Sequence, residues 1–239
     1  MSREDVQKVA VITGASQGIG ASLVTAYRGL GYAVAATARS IGVSGDPEVL
    51  SVPGDVTEPG IGARVVEAAV SQFGRVNTLV NNAGVFIPKP FTDYTDDDYD
   101  AVVGVNLRGF FDMTRSAVTA MLDQDSGGHV VNVSATLVEH ANSTVPSALT
   151  SMTKGGLNAV TKALAIEYAA RGIRVNAVSL GAIRTPMNPA AMQPALADIH
   201  PLGRMGEIDE VVDAIVYLEN AAFVTGEILY VDGGQSAGH

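Results

Sequence analysis

The sequence predicts a doubly wound α/β fold, a parallel sheet between two layers of helices (α/β/α). Three observations carry this. Apolar β-like runs alternate with helical patterns along all 239 residues. Alanine and valine abound while tryptophan is absent, and small aliphatics suit helices packed tightly on a parallel sheet. The first apolar run, Val9-Ala10-Val11-Ile12, leads directly into Thr13-Gly14-Ala15-Ser16-Gln17-Gly18-Ile19-Gly20, a strand that ends in a glycine-rich turn and then opens a helix.

In chain order, Val9–Ile12 predicts the first strand and about Ile19–Leu30 the first helix. Ala33–Ala38 predicts the second strand, and Ser40–Asp46 is too brief for a crossover helix. Val49–Val52 reads as a third strand, Ile61–Phe73 as a helix and Thr78–Asn81 as a fourth strand. Thr95–Leu122 carries one long helical pattern, and His129–Ser134 a strand. A helix over about Pro146–Arg171, a strand at Arg174–Ser179, a helix at Glu207–Glu219 and a strand at Ile228–Val231 complete the series. No linker or internal repeat divides the chain, so residues 1–239 are expected to form one domain. In such sheets ligands bind beyond the carboxyl ends of the strands, where strand order reverses. The glycine loop, Asn81–Gly84, Ser134–Thr136 and Ser179–Thr185 all follow strands and should therefore meet at one crevice.

The chemistry of that crevice begins with the glycine loop. Glycines let the backbone turn tightly and approach a ligand, and the new helix points free N–H groups and its positive dipole end at an anion. Composition narrows the alternatives. There is no cysteine, which removes disulfides, thiolate catalysis and Cys-based metal sites. A formal net charge of -10 disfavours nucleic-acid binding, which needs clustered Lys and Arg. No apolar run is long enough to span a bilayer. The polar start Met1-Ser2-Arg3-Glu4-Asp5 runs straight towards the first strand, so a signal peptide is not expected and the expected setting is cytoplasmic. The acidic run Asp93–Asp100 reads as the capped start of a helix rather than a metal site, and no metal is expected.

These residues resemble the short-chain dehydrogenase/reductase family, whose nucleotide-binding fold is the Rossmann fold, over nearly the whole chain. Thr13–Gly20 resembles its coenzyme loop, and Asp55-Val56 the pair beside the adenine ring. Asn81-Asn82-Ala83-Gly84 resembles its Asn-Asn-Ala-Gly element, Asn106 the helix Asn of its proton relay, and Val131-Asn132-Val133-Ser134 the strand leading to its active-site serine. Lys154-Gly155-Gly156 resembles the segment of the family lysine, and Arg174–Val178 and Pro201–Arg204 are similar strings. The resemblance implies a nicotinamide coenzyme held by Gly14, Ser16, Gln17, Gly18, Ile19 and Gly20, by Asp55 and Val56, by Asn82, Ala83, Gly84 and Lys154, and by Gly181, Ile183 and Thr185. It also implies a small carbonyl or alcohol substrate and a homo-oligomer, a tetramer or dimer.

The departures from the family pattern matter as much. Where the family carries a Tyr four residues before its Lys, this chain has Thr150, and no Tyr lies between Tyr99 and Tyr168. The usual serine position is Ala135, leaving Ser134, Thr136 or Ser143 to stand in. In the family, Tyr exchanges a proton with the substrate oxygen, Lys holds the nicotinamide ribose and lowers the Tyr pKa, and Ser and Asn support them. A phenol titrates near ~10 and an aliphatic alcohol near ~15.7. Bridging roughly 5 further units would cost on the order of 7 kcal/mol. Thr150 is thus a poor general acid, although positions i and i+4 place it on the face of Lys154. His140, beside Glu139, is the most obvious substitute for the missing donor, and water held by Lys154 and Asn106 is another proton source. The buried-looking Asn106 serves either a structural bond or that relay.

At the end of the second strand, Thr37-Ala38-Arg39-Ser40 has no acid to repel a 2′-phosphate. Arg39 can clamp such a phosphate and Ser40 can donate to it, which favours NADP over NAD. Residues 186–206, with three Pro and two Met in Pro186–His200, are expected to form a substrate lid. A protein that binds the coenzyme with little or no redox turnover, as a sensor or scaffold, is the alternative that the missing Tyr motivates.

Overall fold

The computed structural model describes residues 6–238. Its sheet holds seven strands, all parallel, in the order β3-β2-β1-β4-β5-β6-β7. They are β1 (Val9–Thr13), β2 (Ala33–Ala38), β3 (Val49–Pro53), β4 (Thr78–Asn81), β5 (Gly128–Ala135), β6 (Ile173–Leu180) and β7 (Ile228–Val231). The helices are α1 (Gly18–Gly29), α2 (Ile61–Phe73), α3 (Asp96–Val103), α4 (Phe110–Gln124), α5 (Ala148–Tyr168), α6 (Gln193–Asp198) and α7 (Ile208–Asn220). The three-layer, doubly wound class expected from the sequence is therefore the observed one. β2 passes to β3 without a helix, as the brevity of that segment requires.

Strand periodicity sorts the side chains into two cores. On one face Val9, Val11, Leu79, Val130 and Val175 pack beneath α2, α4 and α5, through Ile61, Val65, Met113, Ala117 and Ala165. On the other, Ala10, Ile12, Val80, Val131 and Val178 meet α1 and α7 through Leu23, Tyr27, Val211, Ile215 and Leu218. Because a parallel strand has a helix over each face, every residue of β1 and β2 is buried.

The predicted long helix over Thr95–Leu122 is not one α-helix. α3 and α4 are joined by a π-helical stretch, Gly104–Gly109, which contains Asn106. An extra residue per turn of this kind often marks a functional site. The acidic run does start a helix: the Thr95 side chain accepts from Asp98 N–H while Asp98 accepts from Thr95 N–H, a reciprocal cap. Asp98 also pairs with Lys89 at 2.6 Å. No group of His, Cys, Asp or Glu among the described residues is arranged to hold a metal. No helix there is long and apolar enough to cross a membrane. Within residues 186–206 the chain forms a short 3-10 turn, Ala190–Met192, and then α6.

Candidate functional site

Strand order reverses between β1 and β4, so the loops that leave these two strands flank one crevice. Thr13, the last residue of β1, stitches them together. Its Oγ1 accepts from Asn82 N–H at 3.0 Å and Ala83 N–H at 2.9 Å. Asn82 reciprocates, its Nδ2 donating to the carbonyls of Thr13 at 2.9 Å and Gly14 at 3.2 Å. Ala15 N–H donates to the Thr37 carbonyl at 3.1 Å, tying the glycine loop to β2 as well.

The loop's glycines are required by geometry. Gly14 has φ +65°, and a Cβ there would lie 2.9 Å from Asn82 Nδ2. A Cβ on Gly20 would lie 2.1 Å from the Gly14 carbonyl oxygen. Ser16 and Gln17 are exposed, Gly18 and Ile19 half-buried. Gln17 is the N-cap of α1 but makes no side-chain capping bond, and the first turn carries no acid. The N–H groups at this helix end are thus left to an external acceptor. Gly18 faces Thr185 and Pro186, where a Cβ would lie 3.8 and 3.6 Å from their nearest atoms. The segment after β6 therefore closes over the glycine loop. Asn188 shapes it by donating to the Ile183 carbonyl at 2.7 Å, and Gly181 N–H donates to the Val231 carbonyl at 3.1 Å.

Beside β2, Arg39 and Ser40 are exposed, and Arg39 enters no ion pair among the described residues. Asp55 Oδ1 accepts from both N–H and Oγ1 of Thr57, at 2.9 Å each. Val56 is buried against the π stretch at Gly109.

Lys154 lies on α5, only 7% exposed. Its Nζ donates to the Val133 carbonyl at 2.7 Å. It stands beside Gly84, where an added Cβ would be 3.3 Å from Nζ and 3.5 Å from Asn106 Oδ1. Burial pushes its pKa down to about 8. Asn106 has a structural bond: Val85 N–H donates to its Oδ1 at 3.0 Å, and its Nδ2 donates to the Val85 carbonyl at 3.1 Å and Thr153 Oγ1 at 3.2 Å. The side chain thus holds the chain where it leaves the Asn82–Gly84 loop.

The hydroxyls divide sharply. Thr150 Oγ1 is buried and has no hydrogen-bond partner among the described residues. Ser134 Oγ reaches the Lys154 carbonyl at 3.5 Å, and Thr136 Oγ1 donates to Asp232 Oδ2 at 3.2 Å, locking the end of β5 to the turn after β7. Ser143 is exposed. His140 is half-buried, its N–H bonded to the Thr136 carbonyl at 2.9 Å. Its segment packs on α5 through Ser151 Oγ, which donates to the Leu137 carbonyl at 3.0 Å. Thr13 was already part of the loop motif, whereas Val85, Thr153 and the Val133 carbonyl take part in this geometry with no role assigned to them from the sequence.

A family model described as enoyl-(acyl carrier protein) reductase matches residues 14–236, from the glycine loop to the turn after β7. The chain belongs to the short-chain dehydrogenase/reductase family. Among its relatives, the 3-oxoacyl-[acyl-carrier-protein] reductase of Thermotoga maritima is 37% identical over 95% of this chain and 97% of its own. A solved 3-ketoacyl-(acyl-carrier-protein) reductase from Brucella melitensis complexed with NADH superposes with TM-score 0.88 at 33% identity, over 96% of this chain and 98% of that one. ElxO with NADP bound superposes with TM-score 0.90 at 27% identity, over 97% and 100% of the two chains. For a short-chain dehydrogenase/reductase, the site fits a dinucleotide on its own geometry. Its loop is bare of side chains where a Cβ would collide, its α1 amino end has no side-chain cap, and its buried ammonium donates to one acceptor among the described residues, the Val133 carbonyl.

Proposed function

We propose that this chain is a nicotinamide-dependent oxidoreductase of a small carbonyl or alcohol, with NADP preferred over NAD and no phenolic proton donor. The observation that carries this is the convergence of Lys154 Nζ, Gly84 and Asn106 at the crevice floor beside a bare glycine loop. In this assignment Gly14 to Gly20 and the α1 amino end hold the diphosphate. Asp55 and Val56 hold the adenine end, Arg39 and Ser40 the 2′-phosphate, and Asn82, Ala83, Gly84 and Lys154 the nicotinamide riboside. Gly181, Ile183 and Thr185 cover it. The bound coenzyme supplies hydride chemistry. The protein's part is to hold the substrate oxygen, a role we assign to the Thr150 hydroxyl, which has no hydrogen-bond partner among the described residues, and to supply its proton. Thr136 and Ser134 support α5 and the end of β5, Asn106 keeps the loop after β4 in place, and His140 lies on the rim. A homo-oligomer, a cytoplasmic setting and a lid over about 186–206 accompany the proposal as family expectations.

Calorimetry with the four coenzyme forms, followed by a carbonyl and alcohol panel, tests it. Binding with measurable hydride transfer is the expected result. Tight binding with no transfer on any substrate would favour a sensor or scaffold, which the absence of a phenol beside Lys154 supports. Arg39→Ala is expected to weaken the 2′-phosphorylated form by about tenfold, ~1.5 kcal/mol for a lost charged hydrogen bond, and to leave NAD unaffected. Equal loss for both forms would reverse the assignment of Arg39.

A further inference from the structure

We propose that the cleft beyond the carboxyl ends of β6 and β7 is a second small-molecule site, built for a neutral, largely apolar molecule whose oxygen accepts from His200 Nδ1–H. It goes beyond the oxidoreductase function above and stands without it.

The cleft has a volume of about 230 Å³, room for a molecule smaller than a typical drug. Ile183, Leu202 and Val231 give it apolar walls, and Gly233 and Gly234 add bare main chain. Ile183 and Val231 belong to the core on the α7 face of the sheet, whereas α5, which carries Lys154, packs on the other face. Lys154, Thr150, Asn106 and Gly84 do not line it.

His200 lines the cleft and is only 4% exposed. Its position is fixed from several sides. Its N–H donates to the Ala197 carbonyl at 3.1 Å, and its carbonyl accepts from Gly203 N–H at 2.8 Å. Gly181 makes room for the ring, since a Cβ there would lie 2.5 Å from Nε2 and 2.9 Å from Cδ2. Ala182 N–H donates to Nε2 at 3.0 Å. Nε2 is therefore the acceptor, and the neutral ring carries its proton on Nδ1. Nδ1 is buried and has no hydrogen-bond partner among the described residues. Gly181 stands against the Nε2–Cδ2 edge of the ring, so this donor is on the opposite edge. A buried donor without an acceptor is costly, and a rigid one is preorganised for a ligand.

The charges around the cleft select the ligand. Arg204 is already held by Glu210, through bonds of 2.9 and 2.6 Å. Asp232 is buried, which pushes its carboxyl up, but bonds from Ser236, Gly234 and Thr136 outweigh this and hold it below its usual range. It therefore stays charged, and both its oxygens are engaged. An anion would face this carboxylate with the cleft's cation already paired. A cation would meet a donor at His200 and a carboxylate whose oxygens are taken. A neutral oxygen acceptor, such as an amide carbonyl or an alcohol, fits both conditions.

The test uses coenzyme-free protein and valerolactam, a neutral carbonyl acceptor that nicotinamide hydride does not reduce, with valerate and butylammonium as charged counterparts. Ring nitrogen–proton correlation spectra of the histidines, assigned with His200→Phe, report the site itself. Valerolactam is expected to shift the His200 ring signals with a millimolar Kd, as suits a fragment of its size. H200F keeps a ring but no donor and should bind it about fivefold or more weakly, the loss of one neutral hydrogen bond. Valerate and butylammonium should bind wild type at least about fivefold more weakly than the lactam. In a soaked crystal the lactam oxygen should stand within hydrogen-bond distance of Nδ1. Unmoved His200 signals, equal binding by H200F, charged probes that bind as tightly as the lactam, or an ordered water only at Nδ1 in the soaked crystal would each overturn the proposal. If H200F does not fold, the wild-type titrations and the crystal decide. Failure here leaves the oxidoreductase function standing, because hydride transfer is read by the separate carbonyl and alcohol panel.

Discussion

Gly20→Ala is expected to abolish useful coenzyme binding. The new methyl would stand 2.1 Å from the Gly14 carbonyl oxygen and 2.7 Å from Asn82 Nδ2. Both are parts of the frame: the carbonyl is main chain, and the amide already bridges the β1 and β4 loops. Neither can yield without moving the loop proposed to hold the diphosphate. Overpacking of this kind costs about 1–3 kcal/mol of stability, and displacement of the cradle should weaken the coenzyme by roughly 100-fold or more, ~2.7 kcal/mol. Calorimetric titration and urea unfolding measure the two effects. Gly29→Ala is the control, because nothing lies within 4 Å of its Cβ position. It should leave binding unchanged and be neutral to slightly stabilising. Unchanged coenzyme affinity in G20A would remove the glycine loop from the binding site.

The second large effect lies at the opposite, amino-terminal end of the sheet. Glu219, at the end of α7, is nearly buried and accepts from Tyr27 OH at 3.1 Å, Tyr32 OH at 2.8 Å, Thr78 Oγ1 at 3.1 Å and His129 Nδ1 at 2.9 Å. The His129 tautomer follows from its neighbours. Asn176 Oδ1 accepts from Glu227 N–H at 3.0 Å, which turns Nδ2 towards His129 Nε2. Nε2 is then the acceptor, and the ring proton sits on Nδ1, facing the carboxylate. Burial opposes the Glu219 charge, but His129, Tyr32 and Tyr27 outweigh it and hold the carboxyl well below its usual range. Burial pushes His129 down against the upward pull of Glu219.

Glu219→Ala leaves these donors without an acceptor and unties α1, β4, β5 and α7 at once. The expected cost is about 3–5 kcal/mol, as for breaking a buried charge network. The wild-type pH dependence has a definite sign. With its folded pKa below the unfolded one, Glu219 contributes stability above the ordinary carboxylate range, lost as pH falls through its folded value. His129 is also lower when folded, so the unfolded chain binds its proton first and stability falls as pH drops below about 6.5. Both act in the same direction: urea midpoints should decline on acidification from neutrality and steepen below about 4.5. A flat profile between neutrality and the carboxylate range, with E219A as stable as wild type, would contradict this account.

That network was invisible in the sequence. Tyr27, Thr78, His129 and Glu219 come from four separate elements, and nothing local marks them as partners. The sheet was visible because its information is local. Apolar runs such as Val9–Ile12 are nearly all buried, and glycine and asparagine mark where strands stop. Ile61–Phe73, Thr78–Asn81 and Ile228–Val231 have the same limits in sequence and structure. The π stretch at Gly104–Gly109 was not legible. Its cause is tertiary: Asn106 is drawn to both main-chain groups of Val85, and a helical pattern in sequence does not report one extra residue in a turn.

The site divides in the same way. Motif spacing brought the glycine loop, Asn82–Gly84 and Lys154 to one crevice, because each follows or lines a strand's carboxyl end and strand order does the rest. Whether a given hydroxyl is available was a matter of three-dimensional partners. Thr136 is spent on Asp232, ninety-six positions away in the chain, while Thr150 has no partner among the described residues.

By itself, the sequence determined the sheet and the family, since periodicity and glycine spacing are properties of short segments. The tertiary structure alone decided that Lys154 is buried with no carboxylate partner among the described residues and that the stabilising carboxylate, Glu219, lies at the far end of the sheet. Burial and hydrogen-bond partnership depend on what the rest of the chain places around a group, and those neighbours are distant in sequence.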